Sequence, residues 1–163
     1  MEVIFLKAKQ RLIKQISLEG KKPYPLVKKF TSYHYKLDKT PEGFDKFFEL
    51  LIKYSTQGAA LLKGSLKRKL KNESRAMMSD RVAQTDLLVL DLDNVEFPIS
   101  IKSTLNEFDI QSIAEQFVTY LPLEFQDVSY IAQASASLGL NGKKVSMHLF
   151  FFLKDSIHPK VLK

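Results

Sequence analysis

The sequence predicts an α+β domain built on a mainly antiparallel sheet with flanking helices. Residues 85–93, TDLLVLDLD, form a continuous apolar run that ends in acids, which is typical of a buried strand. Two further β-prone runs, VSYIAQASAS and KVSMHLFFFL, are separated by LGLNGK, whose Asn141-Gly142 pair supplies the positive φ angles of a tight turn. These two runs therefore predict an antiparallel hairpin.

Helices are predicted in both halves of the chain. Residues 3–17 have apolar side chains at the spacing of an amphipathic helix, and residues 107–121 also have a helical pattern. Between residues 20 and 43 three prolines predict an irregular connection. A helix then begins at Thr40 and Pro41, because Thr caps unpaired N–H groups and Pro is favoured at the first helical position. Its predicted apolar stripe comprises Phe44, Phe47, Phe48, Leu51 and Ile52.

The pattern changes after Gly58, where a short apolar strand leads into a basic segment that is either a turn or a short helix. We therefore predict that residues 1–57 form a helical, basic part of the domain and that residues 58–163 form its core. The last residues, SIHPKVLK, are typical of the opening turn of a helix that begins at Pro159.

Composition excludes several classes of protein. With 45% hydrophobic residues the chain has enough apolar material for a core, so it is not a disordered tail. The absence of cysteine excludes disulfides, thiolate zinc sites, iron–sulfur clusters and a cysteine nucleophile. Because no run of roughly 18 apolar residues occurs and the N-terminus is charged, we expect a cytoplasmic protein without a membrane partner.

Charge is distributed unevenly along the chain. Residues 1–81 contain 19 Lys and Arg against 8 Asp and Glu, whereas residues 82–163 contain 6 against 10. A basic half joined to an acidic half is expected if one surface binds a polyanion and another gathers carboxylates for metal or acid–base chemistry. A solvated, lysine-rich surface explains the charge equally well.

Asp91 and Asp93 are the first candidates for chemistry. They lie two residues apart on a predicted strand, so their carboxylates project from the same face and are close enough to share Mg²⁺ or Mn²⁺. A pair of such ions activates an attacking oxygen and stabilises a leaving pyrophosphate in polymerases and nucleases. The alternative is that the two acids simply cap a turn at the strand end.

Ser146 and His148 have the same spacing on a later strand. A histidine in a phenylalanine-rich strand is more often a hydrogen-bonded core residue than a ligand. If this strand lies near the strand of Asp91, however, His148 faces the proposed metal site. Its imidazole would then bind a phosphate oxygen.

The two motifs, in this order, resemble the catalytic core of the archaeo-eukaryotic primase superfamily, specifically the primase-polymerases of phages, plasmids and other mobile elements. The resemblance covers most of residues 58–153. It implies that Asp91 and Asp93 are metal ligands and that His148, with Ser146, contacts the triphosphate of the incoming nucleotide. The serine-rich segment QASASLGLNGKK resembles the one leading into that motif, which implies that Ser135 and Ser137 line the pocket.

The resemblance also implies an RRM-like α+β core and a DNA-dependent nucleotidyltransferase that makes primers. Its partners would be a single-stranded DNA template, nucleoside triphosphates and a helicase. The family has a third, acidic motif downstream, and Asp155 is the only acid after His148. The resemblance therefore implies that residues 58–163 are the front part of a core that is incomplete at its C-terminus.

A basic stretch directly precedes the strand of Asp91, and its proximity to the proposed site favours phosphate contacts. Lys63 and Arg81 are candidates for binding the nucleotide. Tyrosines and a phenylalanine upstream could stack on bases, although ordinary packing explains them better. The candidates for binding the template are Lys67, Arg68, Lys69, Lys71 and Arg75.

Three alternatives stay open. The run DLDNV also fits the D-x-D-x-[TV] opening of haloacid-dehalogenase-like phosphatases, with Asp91 as nucleophile and Asp93 as acid–base, although that motif normally opens the domain. A glycosyltransferase with a D-x-D metal site does not account for the Ser-x-His pair. The third alternative is a non-catalytic nucleic-acid-binding module. Metal-dependent nucleotide binding would distinguish a primase from such a module.

Overall fold

A computed structural model of the chain describes residues 1–17, 20–96, 110–138 and 144–162. Within these ranges the protein is an α+β structure with mostly antiparallel strands and two α-helices, which confirms the predicted class. The helices are α1 (Pro41–Thr56) and α2 (Ile110–Val118). The strands are β1 (Glu2–Lys7), β2 (Gln15–Ser17), β3 (Gly20–Lys22), β4 (Lys29–Lys36), β5 (Ala60–Leu61), β6 (Ser65–Leu66), β7 (Glu73–Ser74), β8 (Ser79–Asp80), β9 (Thr85–Glu96), β10 (Ile131–Ala134) and β11 (Lys144–Ile157).

The chain forms two compact units. The first contains residues 1–88 and 152–163, and the second contains residues 89–151. Both boundaries fall inside long strands, β9 and β11. The boundary predicted at residue 57 lies within the first unit.

The first unit contains a four-stranded antiparallel sheet in the order β5-β1-β4-β7. The helix predicted over residues 3–17 is therefore wrong: Val3 to Leu6 are all buried and belong to β1. A short apolar run is ambiguous between helix and strand, and here six residues pair with β4. The irregular connection predicted between residues 20 and 43 is confirmed for residues 23–28, which contain two of the three prolines, but the stretch also contains β3 and β4.

Helix α1 begins where the sequence predicted. The Thr40 hydroxyl accepts a hydrogen bond from the backbone N–H of Gly43 at 3.2 Å, and Pro41 occupies the first turn. After the helix, Gly58 adopts φ +65°, which favours glycine. The buried face differs by part of a turn from the predicted stripe: Phe48 and Ile52 are exposed, whereas the buried residues are Phe47, Leu50, Leu51 and Tyr54.

An aromatic cluster joins α1 to the sheet of the first unit. The ring of Tyr54 stacks on Phe5 with 4.3 Å between centroids, and its hydroxyl hydrogen-bonds the hydroxyl of Tyr35 at 2.6 Å. Burial, followed by the hydrogen bond with Tyr35, raises the pKa of Tyr54 above its ordinary value. The hydroxyl therefore stays protonated inside the core.

Asp86 is the centre of a polar cluster in the first unit. It forms an ion pair with Lys39 and accepts a hydrogen bond from the hydroxyl of Ser156 at 2.6 Å, while Lys39 also donates to the carbonyl oxygen of Lys154. Burial by itself raises the pKa of Asp86, but the hydrogen bonds from Lys39 and Ser156 outweigh it, so this pKa lies below its ordinary value. The cluster fixes β9 and β11 to the segment before α1.

The second unit contains the three-stranded order β10-β11-β9 together with α2. Strands β10 and β11 are antiparallel, as predicted, with Gln133 opposite His148. The turn predicted at Asn141 and Gly142 lies outside the described residues, as do residues 107–109 of the predicted helix. The core of this unit comprises Ile113, Ala114, Val118, Ile131, Val145, Met147, Leu149, Phe150 and Phe151.

Two findings concern the remaining elements. The final segment forms a 3-10 helix at Pro159–Leu162, where the sequence predicted a helix to begin. In the described part of the chain, neither α-helix has the length and apolar character that crossing a membrane requires.

Replacement of Asp86 by Ala is expected to lower the free energy of unfolding by about 2 kcal/mol, since it removes an ion pair whose carboxylate is 18% exposed. Because the folded-state pKa is lowered, this contribution is present in full above the ordinary Asp value of 3.8 and is lost as the pH falls through the folded value. Denaturant unfolding between pH 7 and pH 3 measures both effects. The exposed control Asp45→Ala should change stability by less than about 0.5 kcal/mol, and a loss at pH 7 no greater than the control's would contradict the structural role.

Candidate functional site

Strands β9 and β11 are neighbours in the sheet, and the contacts between their side chains show that the two strands run in opposite directions. In the second unit Lys144 forms an ion pair with Glu96 at 3.5 Å, and the imidazole of His148 lies 3.2 Å from the carboxylate of Asp91. Residue numbers increase along β11 while those of the contacting residues decrease along β9, so the two strands are antiparallel. This pairing brings the Asp-x-Asp motif and the Ser-x-His motif together.

His148 and Asp91 form the centre of the candidate site. The Nε2 atom of His148 lies 3.2 Å from Oδ1 of Asp91, with side chains that are 31% and 54% exposed. His148 is therefore only partly buried. Its two neighbours along the strand, Met147 and Leu149, have no exposed surface and belong to the apolar core. A carboxylate beside an imidazole restricts the orientation of the ring, and the side chain of His148 is still 31% exposed.

Asp91 and Asp93 are both exposed, and the half-buried Leu92 lies between them. Alternation along β9 therefore directs both carboxylates to the same face. Among the described residues no group of three or more His, Asp or Glu side chains is arranged to hold a metal ion. The donor chemistry nevertheless fits Mg²⁺ or Mn²⁺, because such ions commonly bind one or two carboxylates and complete their shell with water and substrate phosphates.

Ser146 is 1% exposed and acts in a different way from His148. Its hydroxyl accepts a hydrogen bond from the backbone N–H of Asn94 at 3.0 Å. Asn94 has φ +55°, a left-handed conformation that interrupts the regular geometry of β9 just after Asp93. The side-chain amide of Asn94 also donates to Oδ1 of Asp93 at 3.0 Å, so Ser146 and Asn94 position the second carboxylate.

Ser135 and Ser137 lie near this arrangement at the end of β10. The backbone N–H of Ser135 donates to the carbonyl oxygen of Ser146 at 3.0 Å, and the hydroxyls of Ser135 and Ser137 are 3.3 Å apart. The structure thus brings six of the predicted residues into one unit: Asp91, Asp93, Ser135, Ser137, Ser146 and His148.

The predicted basic residues all belong to the first unit. The basic segment, left open as a turn or short helix, consists of turns and the short strands β6 to β8. Within it Arg68 donates two hydrogen bonds of 2.7 and 2.6 Å to Glu73. The side-chain hydrogen bond from Arg68, with one from the backbone N–H of Lys71, lowers the pKa of Glu73 to about 2. The exposed basic residues are Lys63, Lys67, Arg68, Lys69, Lys71, Arg75 and Arg81.

A comparison with protein-family models, curated proteins and solved structures finds no match.

Two residues of this site were missed by the sequence analysis. Gln133 lies opposite His148 in the register of β10 and β11, which only strand pairing reveals. Asn94 positions Asp93, and here a signal was present: asparagine tolerates the left-handed region better than most residues, so an Asn directly after Asp-x-Asp indicates a break in the strand.

The conformation of Asn94 is testable by comparing Asn94→Gly with Asn94→Ala. Both variants lose the same side-chain amide, but only alanine opposes φ +55°. We expect the glycine variant to be more stable than the alanine variant by about 1 kcal/mol in urea unfolding. The flexibility of glycine favours the unfolded chain, but the strain of alanine in the left-handed region is the larger effect. The reverse order of stabilities would show that residue 94 does not occupy the left-handed region.

Proposed function

We propose that this protein is a DNA-dependent nucleotidyltransferase of the primase-polymerase type. The observation that supports the proposal is the 3.2 Å contact between His148 and Asp91, which joins two motifs that the sequence analysis selected independently. The antiparallel pairing of their two strands is compatible with the mainly antiparallel sheet of an RRM-like primase core.

Each residue has a distinct role in this proposal. Asp91 and Asp93 bind Mg²⁺ or Mn²⁺, which would supply charge neutralisation at the triphosphate when bound. His148 donates a hydrogen bond to a phosphate oxygen, and Asp91 orients its ring. Ser146 and Asn94 hold the carboxylate of Asp93 in place, and the hydroxyls of Ser135 and Ser137 contact the nucleotide.

The exposure of the two acids favours this role over a purely structural one. Exposed ion pairs contribute about 0–1 kcal/mol to stability, so the fold gains little from the pair of His148 and Asp91. Like charges at adjacent same-face positions oppose one another unless a cation lies between them. Two neighbouring carboxylates beside an accessible imidazole are therefore better explained by a ligand that contains both a metal and phosphate.

The partners follow from this chemistry. The substrates are nucleoside triphosphates and a single-stranded DNA template, and exposed basic residues of the first half, Lys67, Lys69, Lys71 and Arg75, contact template phosphates. A helicase supplies the single strand. The phosphatase alternative instead predicts release of inorganic phosphate, and the non-catalytic alternative predicts nucleic-acid binding with no effect of metal.

Asp91→Asn and Asp93→Asn each preserve side-chain volume while removing a metal ligand. We expect each variant to lower Mn²⁺-dependent nucleotide incorporation by more than about tenfold. Loss of a group that only orients a metal ligand already lowers activity by about that factor, and loss of the ligand itself should lower it further. Primer synthesis on a single-stranded template measures the loss, and circular dichroism verifies the fold. The matched control is Asp127→Asn, an exposed acid of the same unit. Incorporation by either variant at the level of the control would refute the metal-ligand assignment.

His148→Ala is expected to weaken triphosphate binding by roughly tenfold to a hundredfold, the contribution of one charge-assisted hydrogen bond, while leaving oligonucleotide binding unchanged. Titration of a labelled nucleotide with Mn²⁺, and of a labelled oligonucleotide, separates the two effects. His158→Ala serves as the control. Equal loss of both ligands together with a lowered melting temperature would instead identify His148 as a structural residue.

A further inference from the structure

An open groove of about 670 Å³ lies on the first unit, between the start of β4 and the segment from β7 to β8. Its charged side chains are Lys28, Lys29 and Arg75, and the described lining contains no Asp or Glu. Its apolar lining residues are Val27, Phe30, Ala76 and Met77. The groove therefore combines three cations with apolar side chains, and Lys28 and Lys29 lie outside the basic stretch that the sequence analysis selected.

Strand pairing creates this juxtaposition. In the register of β4 and β7, Lys29 lies opposite Ser74 and Phe30 lies opposite Glu73, which places Lys28 and Lys29 beside Arg75. The nearest acid in this register, Glu73, is already bound by both terminal nitrogens of Arg68. The positive charge of the groove is therefore not cancelled by Glu73.

The groove is also held in place. The buried hydroxyl of Ser32 accepts from the backbone N–H of Leu70 at 2.8 Å, and Thr31 accepts from that of Asn72 at 3.1 Å, so the segment after β6 is fastened to β4. Phe30 packs against a buried cluster formed by Ile4, Leu6, Leu66 and Leu70. Little ordering is then required when a ligand binds.

Met77 indicates which ligand suits the groove. Its side chain is 81% exposed, and its backbone has φ +62°, so an apolar side chain is presented to solvent next to the three cations. A single nucleic-acid strand offers both base faces and phosphates to such a surface, whereas a duplex stacks its base faces away. A membrane surface is flat, and it suits a protruding patch better than a concave one.

We propose that this groove binds single-stranded nucleic acid, with Lys28, Lys29 and Arg75 at the phosphates and with Met77 against the bases. The proposal shares its partner with the proposed function and assigns that partner a site. It does not depend on Asp91 or His148, and its test contains EDTA, so that failure of the nucleotidyltransferase and failure of the groove are distinguishable.

The test uses the full chain and a labelled twelve-nucleotide oligothymidylate at several salt concentrations. The triple variant Lys28→Ala/Lys29→Ala/Arg75→Ala should bind at least roughly tenfold more weakly, and its slope of log affinity against log salt should be smaller by about 2, since each single-strand phosphate contact contributes about 0.7. The control Lys36→Ala/Lys53→Ala/Lys160→Ala removes the same charge from exposed positions outside the groove lining. An equal loss in the control would overturn the proposal, because the attraction would then be delocalised.

A second variant separates apolar contact from charge. Met77→Asn tolerates the left-handed backbone but removes the apolar side chain, so affinity should fall about threefold to thirtyfold with the salt slope unchanged. Unchanged affinity would exclude base contact at Met77. Equal affinity for a duplex of the same length, or tighter binding to vesicles of anionic phospholipid than to the oligonucleotide, would also overturn the proposal.

Discussion

The pairing of β9 with β11 is the constraint on which the candidate site depends. Neither motif has a chemical meaning by itself: Asp-x-Asp occurs at many strand ends, and a histidine among phenylalanines is usually a core residue. Antiparallel pairing places His148 3.2 Å from Asp91 and directs the hydroxyl of Ser146 to the backbone of Asn94. The core below holds this register, because Val145, Met147 and Leu149 have no exposed surface and a slip of one residue would turn them outwards.

Two acids of β9 illustrate how environment separates structure from chemistry. Asp86 is mostly buried, paired with Lys39 and hydrogen-bonded by Ser156, and its lowered pKa is a consequence of those partners. Asp91 is more than half exposed, and an exposed ion pair adds little stability. The same residue type on the same strand thus serves the fold at one position and is available to a ligand at the other.

The basic first half likewise divides into charges that are internally satisfied and charges that face outwards. Arg68 belongs to the first kind, since both of its terminal nitrogens bind Glu73. Lys28, Lys29 and Arg75 line a groove that also contains apolar residues and has no acid in its described lining. A net charge therefore indicates a polyanion partner only after the internal ion pairs are known, because a paired arginine contributes little to the field at a distance.

Local interactions explain what the sequence by itself determined. The start of α1 could be predicted because Thr40 and Pro41 satisfy the first turn with atoms a few residues away. The strand character of β9, β10 and β11 could be predicted from apolar runs, as could Asp91 and His148 as candidates. Tertiary structure alone decided that residues 3–6 are a strand, since their pairing with β4 involves residues about thirty positions later. It also decided the neighbours of His148 and the groove beside Arg75, because contacts across strands depend on register, which no local pattern contains.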